Sequence, residues 1–418
     1  MIVKTLGKAV LCTLLEHQVK VLRRRNQFLV VAVAGSVGKT STKLAIARTL
    51  GATQRVQFQD GNYNDRLTVP LVIFGHREPG LFNLAAWLKI LWHNQRQLRR
   101  TYDYQFVVAE LGTDAPGQMA RFAYLKPDLY VLTSISPEHM EYFKTLEAVA
   151  IEETALLPYA RAVLVNGDDC DPTFLPAETA KSYGFGADAD YRIADMSLNA
   201  KSRSQQITVR GETFNVRLLG QQGAKIAAAA YASADMLGLS KDDILTGLAA
   251  IAPTSGRMQL LDGVRSSVLI DDTYNSSPIA VKAALDVLYA WPAGQRIAIL
   301  GTMNEMGAVS EQLHREIGAY CDPEKLDVVV TIGEPANQFT AAAAESRGCK
   351  VLQCIHPRDA GEAVLTLLKD NAVVLAKGSQ NRVFAEEALV PLLENPEDVH
   401  KLVRQSAHWQ AIKAGLPH

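Results

Sequence analysis

The chain lacks any pairing of cysteines at metal-ligand or redox spacing. Its five cysteines, Cys12, Cys170, Cys321, Cys349 and Cys354, are scattered along 418 residues. That excludes a disulfide framework and a cysteine-based zinc site, and the residues read as buried thiols of a reducing cytoplasm. An excess of charge of one sign is missing too. A formal net charge of −1 gives no electrostatic case for nucleic acid as the main partner. No run reaches the roughly 18 apolar residues that a membrane span requires. Internal repeats and low-complexity tracts are absent. What remains, 48% hydrophobic and 21% charged residues, is the composition of an ordinary globular protein. At this length one core is not enough, so two domains are expected.

The first residues carry Lys4 and Lys8 in a fairly apolar stretch but no convincing small-residue cleavage site. An amphipathic pattern runs on through Leu14, Val19 and Leu22. Residues 3–24 are therefore expected to form a helix capping the first domain, an N-terminal element of about 1–25. Arg23, Arg24 and Arg25 read as a solvated helix end, with association with a lipid surface as the alternative.

Beyond it, strand-like runs alternate with helical patterns, the mark of βαβ units on a mostly parallel sheet. The first series is Phe28–Val33, Phe106–Glu110, Leu129–Thr133 and Ala162–Val165. Short alternating strands follow between about 184 and 219, and helical stretches at Ala224–Leu237 and Lys241–Ala250 close the first domain. A second series (Ser267–Ile270, Arg296–Leu300, Val328–Ile332, Val351–Cys354 and Ala372–Ala376) forms a separate Rossmann-like lobe. The expected hinge is Pro253–Gly256. The expected fold class is α/β: a central domain on a parallel sheet over 26–254, then a Rossmann-like domain over 255–418.

The strongest motif lies at the end of the first apolar run. Gly35-Ser36-Val37-Gly38-Lys39-Thr40-Ser41 joins a strand to a helix, the order that sets backbone N–H groups and a helix N-terminus around phosphate oxygens. Lys39 would reach the β/γ-phosphates and the Thr40 hydroxyl would ligate Mg²⁺. The plain alternative is a glycine-rich turn without a ligand. The standard loop has a glycine five residues before Gly38, and here that residue is Val33, so the loop is a shortened form.

Other polar groups fall where ligands of α/β sheets sit, after the strands. Glu110 ends one run and His139 follows another. Each has a structural reading, as a strand cap and as a satisfied polar residue, and together beside a phosphate loop they favour metal ligation. Gly61–Asp65 is either a turn or part of this site. Asp271–Pro278 suits ribose or phosphate recognition and equally an ordinary turn. Leu375–Ser379 and Gly301–Gly307 are further strand ends. Their common placement across two lobes points to an interlobe cleft.

Taken together, Gly35–Ser41, Ala109-Glu110-Leu111-Gly112, Glu138–Phe143, Ser255-Gly256-Arg257, Asp271–Pro278 and Lys377-Gly378-Ser379 resemble the Mur ligases. Within that family the pattern is nearest the enzymes that add D-alanyl-D-alanine to a UDP-linked tripeptide. The resemblance runs from about Leu22 to Leu393. It implies an ATP- and Mg²⁺-dependent ligase of cell-wall precursor synthesis, in the cytoplasm, joining a carboxylate to an amino acid or dipeptide amine. A substrate carboxylate would take the γ-phosphate of ATP, and an amine would displace phosphate from the acyl phosphate.

Carried over residue by residue, the loop Gly35, Ser36, Val37, Gly38, Lys39, Thr40 and Ser41 would hold ATP, with Thr40 on one Mg²⁺. Glu110 and His139 match ligands of a second Mg²⁺, and Asn64 an asparagine near the phosphates. Arg257 matches an arginine on the γ-phosphate or nucleotide, while Asp272, Tyr274 and Asn275 match a loop that meets the nucleotide. Lys377 and Ser379 are expected to touch substrate.

Three departures stand out. Where the family carries a carbamylated lysine this chain has Glu153, which we expect to supply the carboxylate directly, with Glu152 as competitor and a solvated helix face as the plain reading of both. The family's Gly-x-His-Asn motif appears as Gly220-Gln221-Gln222-Gly223. About 27 residues precede the first strand, too few for a UDP-gripping domain. That suggests either a separate subunit for UDP recognition or a carboxylate substrate without UDP. An ATP-binding regulatory subunit without ligase activity is the alternative from a different class.

Overall fold

The computed structural model describes residues 2–61, 63–137, 139–175, 180–380 and 382–414, with the backbone alone for residues 2–6 and Glu141. The chain divides into two compact units. The first holds the N-terminal part to Ser197 with 206–216 and 222–252. The second holds Pro253 onward with 198–205 and 217–221.

The N-terminal helix α1 (Ile2–Arg25) packs Val19 and Leu22 on the core of the first unit. Strands β1 (Leu29–Ala34), β2 (Val56–Gln57), β3 (Phe106–Glu110), β4 (Leu129–Leu132), β5 (Val163–Asn166), β6 (Ala180–Gly184), β7 (Tyr191–Asn199), β8 (Ser204–Val209) and β9 (Glu212–Val216) form a nine-stranded sheet. Its order is β2-β3-β1-β4-β5-β6-β7-β8-β9. The pairings from β2 through β7 are parallel. β1 is buried from Val30 to Ala34 because, as a central parallel strand, it has both faces covered. Its helices are α2 (Lys39–Gly51), α3 (Thr68–Phe74), α4 (Leu84–Gln97), the single turn α5 (Met140–Phe143), α6 (Leu146–Thr154), α7 (Gly220–Met236) and α8 (Lys241–Ala249).

Val33, where a standard loop has glycine, lies inside β1 opposite Glu110, and its carbonyl accepts the Leu111 N–H at 2.8 Å. The strand therefore runs on to Ala34 and the turn begins only at Gly35. This is the structural cause of the short loop. The same register sets Glu110 beside the C-terminal end of β1, level with the loop.

The second unit carries a six-stranded sheet in the order β10-β11-β15-β12-β13-β14. Its strands are β10 (Gln259–Gly263), β11 (Ser267–Asp272), β12 (Arg296–Gly301), β13 (Val328–Ile332), β14 (Val351–Cys354) and β15 (Val373–Lys377). Only the β10–β11 pairing is antiparallel. Alternate residues of one strand enter different cores, as a two-residue period requires. Ala298 and Leu300 pack with Leu285 and Leu288 of α9 (Pro278–Ala290) and Ile317 of α10 (Ser310–Tyr320). Ile297 and Ile299 pack on the opposite face with Val364 of α12 (Pro357–Leu367), where α11 spans Ala342–Ser346. All five cysteines are free thiols.

Candidate nucleotide site

Gly35 and Gly38 have φ of 119° and 86°, in the left-handed region that favours glycine. A Cβ on Gly35 would meet the Thr133 hydroxyl at 2.5 Å and the Ser134 nitrogen at 2.7 Å. The loop lies that close because it is tied to the exit of β4. Ser36 N donates to Ser134 O at 3.0 Å, and Val37 N to Ser134 Oγ at 2.8 Å. Thr133 Oγ1 donates to Val37 O at 2.7 Å, and Ser36 Oγ to Ser136 O at 3.0 Å. These bonds preset the loop without a ligand.

At the N-terminus of α2 the cap is Gly38, so no side chain caps the first turn, and no acid stands there. The first N–H groups of a helix have no partners within it. Together with the helix dipole they offer donors suited to an anion, at the residues singled out from sequence. Lys39 Nζ reaches back to Ser36 O at 3.2 Å, which keeps its ammonium over the loop. Thr40 and Ser41 follow in the first turn, half-buried.

Glu110 is buried at the end of β3. Asn64 donates through Nδ2 to its Oε1 at 3.3 Å. The close approach explains Gly112: a Cβ there would fall 2.5 Å from Asn64 Nδ2, and Gly112 N donates to Asn64 O at 2.9 Å. The structure thus brings Asn64, Glu110 and the phosphate loop to one end of the sheet. The other carboxylate oxygen, Oε2, makes no hydrogen bond although it is buried. It lies 3.4 Å from the ammonium of Lys43, itself buried and donating to Gly61 O at 2.9 Å. Lys43 was not singled out from sequence, where it read as part of a helix. The available signal was its spacing of four from Lys39, which puts both on one side of α2.

His139 stands apart from this group. Its backbone is left-handed (φ 47°), its side chain is partly exposed, and Nε2 lies 3.7 Å from Asp114 Oδ1. The two glutamates of α6 have different surroundings. Glu152 accepts the N–H groups of Gly117, Gln118 and Met119 at 2.6, 2.7 and 2.6 Å. Its carboxylate is spent on holding that turn. Glu153 is buried too, its carbonyl accepts the Tyr130 hydroxyl at 2.6 Å, and its charge adds to the burial that pushes the Cys170 thiol up to about 12. Neither is a solvated helix face. Among the described residues, no three histidine, cysteine or acidic side chains gather as a cation site, so Glu110, His139 and Glu153 are not assembled as one ligand set.

Near the start of α7, Gln205 brackets Gly220, accepting its N–H at 2.8 Å and donating to its carbonyl at 3.2 Å. One turn on, the half-buried Gln222 and buried Gly223 precede Lys225, whose ammonium lies 2.9 Å from Asp169 Oδ2 and 3.4 Å from Asp168 Oδ2.

In the second unit the polar strand ends are bonded to one another. Asp271 is fully buried and accepts Gly256 N at 3.2 Å, Thr273 N at 3.1 Å and Thr273 Oγ1 at 2.6 Å. Burial pushes its carboxyl up to about 6, against the opposing pull of those Thr273 bonds. Gly256, at φ 68°, accepts Tyr274 N at 2.9 Å. Arg257 follows with its guanidinium 4.2 Å from the Tyr274 ring centroid. Asp272 accepts Met258 N at 3.1 Å and pairs with Lys377 Nζ at 2.6 Å. Lys377 also donates to Asn275 O at 2.9 Å and is itself buried. Ser379 Oγ accepts Asn304 N at 2.9 Å. Sequence reading also passed over Arg404, which holds Thr273 O at 2.6 Å and pairs with the buried Glu386.

The chain matches two family models: the Mur ligase middle domain over residues 33–234, and the Mur ligase glutamate ligase domain over 256–380. It is similar to the UDP-N-acetylmuramoyl-tripeptide–D-alanyl-D-alanine ligase of Bacillus subtilis, 28% identical over 384 residues, covering 88% of this chain and 76% of that protein. Among solved structures, MurF from Acinetobacter baumannii superposes with a TM-score of 0.74 at 22% identity, covering 93% of this chain and 81% of that one. MurF ligase from Thermotoga maritima, solved in complex with ADP, gives 0.74 at 22% identity, covering 94% and 84%. The two family models cover most of each unit, and with the phosphate loop in place the conclusion is direct: this chain belongs to the Mur ligase family.

Proposed function

We propose that this chain is an ATP- and Mg²⁺-dependent ligase that joins D-alanyl-D-alanine, or a closely similar amine, to the carboxylate of a cell-wall peptide precursor. The observation that carries the reading is one end of the first sheet. A preset phosphate loop and an uncapped helix N-terminus stand there beside a buried carboxylate oxygen that makes no hydrogen bond. The relatives' substrate, a UDP-N-acetylmuramoyl tripeptide, is the first carboxylate to test.

In the reaction a carboxylate oxygen attacks the γ-phosphorus and ADP leaves. The amine nitrogen then attacks the acyl carbon, phosphate leaves and a proton is lost from nitrogen. The loop amides and Lys39 hold the phosphates and offset the repulsion between carboxylate and triphosphate. Glu110 Oε2 and the Thr40 hydroxyl have the hard-oxygen chemistry that Mg²⁺ takes, and the metal would neutralise phosphate charge. Lys43 and Asn64 hold Glu110 in place. Arg257, Asp272, Tyr274 and Asn275 are its nucleotide contacts; His139 and Glu153, which do not gather with Glu110 among the described residues, are given no metal role in it. An ATP-consuming reaction on a cell-wall precursor fits the cytoplasm, the compartment this reading takes for the protein.

The test is ADP and phosphate release by the purified chain over a panel of carboxylates, with and without UDP, and amines including D-alanyl-D-alanine. Release that needs both co-substrates and is lost in Lys39→Ala is expected. ATP binding without turnover on any pair would overturn the ligase reading in favour of a regulatory subunit.

A further inference from the structure

The first unit exposes an apolar surface that the proposed reaction does not use. Just before and along α4, Phe82 and Leu84 are 76% and 70% exposed, and Leu88 and Trp92 are each more than half exposed. Leu84, Leu88 and Trp92 are spaced by four and so form one stripe along the helix. On α1, Val10 and Leu14 are exposed at the same spacing.

The two stripes belong to one face. α1 and α4 pack through Leu15, Cys12, Trp87 and Ile90, with Leu11 and Leu91 half-buried at the seam. Gln18 crosses it, donating to Leu91 O at 3.0 Å and accepting from Asn94 at 2.8 Å. Turning from the seam toward the core, each helix shows buried residues: Cys12 and Val19 on one, Ile90 and Asn94 on the other. Turning the opposite way, α1 reaches Leu14 and then Val10, and α4 reaches Leu84, Leu88 and Trp92. At about 100° per residue, both stripes border the solvent side of the same seam.

The exposed charges on the two helices themselves are of one sign. Between Glu78 and Asp103 there is no acid but Lys89, Arg96, Arg99 and Arg100, all exposed. The Arg96 guanidinium lies 4.8 Å from the Trp92 ring centroid. The sole acid of α1, Glu16, is turned inward and paired with Arg66, while Lys20 and Arg24 are exposed. Exposed aliphatic and aromatic groups rimmed by Lys and Arg, with the half-exposed Asp65 carboxylate paired to Lys8 of α1 at 3.3 Å, match an anionic lipid headgroup layer over its acyl chains. They do not match a protein partner of mixed charge. No helix among the described residues is long and apolar enough to cross a membrane. We propose that the outer face of α1 and α4 docks this chain flat on an anionic membrane surface, with Trp92 and Phe82 in the interfacial layer.

The full chain should co-sediment with vesicles containing phosphatidylglycerol and much less with pure phosphatidylcholine. Binding should weaken as salt is raised, and tryptophan emission should shift to the blue. In Leu88→Ser/Trp92→Ser the partition coefficient should fall by at least about tenfold while ADP-forming activity stays unchanged, since each side chain contributes buried apolar area. Lys89→Glu/Arg96→Glu keeps the apolar face and should lose the preference for phosphatidylglycerol. The proposal is overturned by absence of binding at low salt, or by equal binding of both variants. A concentration-dependent dimer that the serine variant dissolves, in a chain that ignores vesicles, overturns it as well.

Discussion

The strand ends of the two units start from similar sequence and finish differently. In the first, Glu110 closes β3 with one carboxylate oxygen bonded to Asn64 and the other without a hydrogen bond, 3.4 Å from the Lys43 ammonium, beside a helix N-terminus that no side chain caps. In the second, Asp271, Asp272, Lys377 and Ser379 close β11 and β15, and each is committed to the chain itself. An acidic residue after a parallel strand can thus keep an oxygen without a hydrogen bond or spend every oxygen on neighbouring loops, and the fold decides which. In the second case it is a clamp on the neighbouring loop.

The sharpest way to break this comparison is Lys377→Met. Removing one member of a buried ion pair strands the other charge, so the second unit should lose about 3–5 kcal/mol in denaturant unfolding. Unchanged unfolding would mean that Lys377 is held for substrate and not as a clamp. Lys39→Ala should do the reverse in the first unit. ADP release should fall about 100- to 1,000-fold, the scale of one lost transition-state charge contact, with the unfolding midpoint unmoved.

Asp271 gives a pH signature. A carboxyl raised from an ordinary value near 3.8 to about 6 binds its proton more tightly in the folded state. Between about pH 6 and pH 4 the native chain holds a proton that the unfolded chain has released, so stability from this group rises as pH falls through that window. The full span is worth about 3 kcal/mol. Asp271→Asn should flatten that slope, read as the difference between its stability–pH curve and that of the parent chain. The smallest effect is expected at His139, whose partly exposed side chain stands apart from Glu110. His139→Ala should cost no more than about tenfold in activity and leave the unfolding curve in place.

The sequence was legible wherever local chemistry is decisive. Apolar runs located most of the parallel strands to within one or two residues, from Phe106–Glu110 to Val328–Ile332, but left β2, β6 and β10 unmarked. Gly35 and Gly38 marked a turn only glycine can make. Lys43 was not legible, because a lysine in a helical run looks solvated until β3 places Glu110 against it. Lys377 and Ser379 were read as substrate groups, since nothing in their own segment reveals Asp272 and Asn304 across the sheet. Glu152 and Glu153 looked alike side by side on α6, and only the turn at Gly117–Met119 separates them.

The sequence by itself determined the elements, the phosphate loop and the family, because strand period, glycine conformation and helix start are properties of a few consecutive residues. Which charged groups were left open for a ligand was decided by tertiary structure alone. Partners that satisfy a buried carboxylate or ammonium come from as far as 15 and 105 residues away, as with Asp271 and Gly256 or Lys377 and Asp272. A buried charge takes its function from those partners.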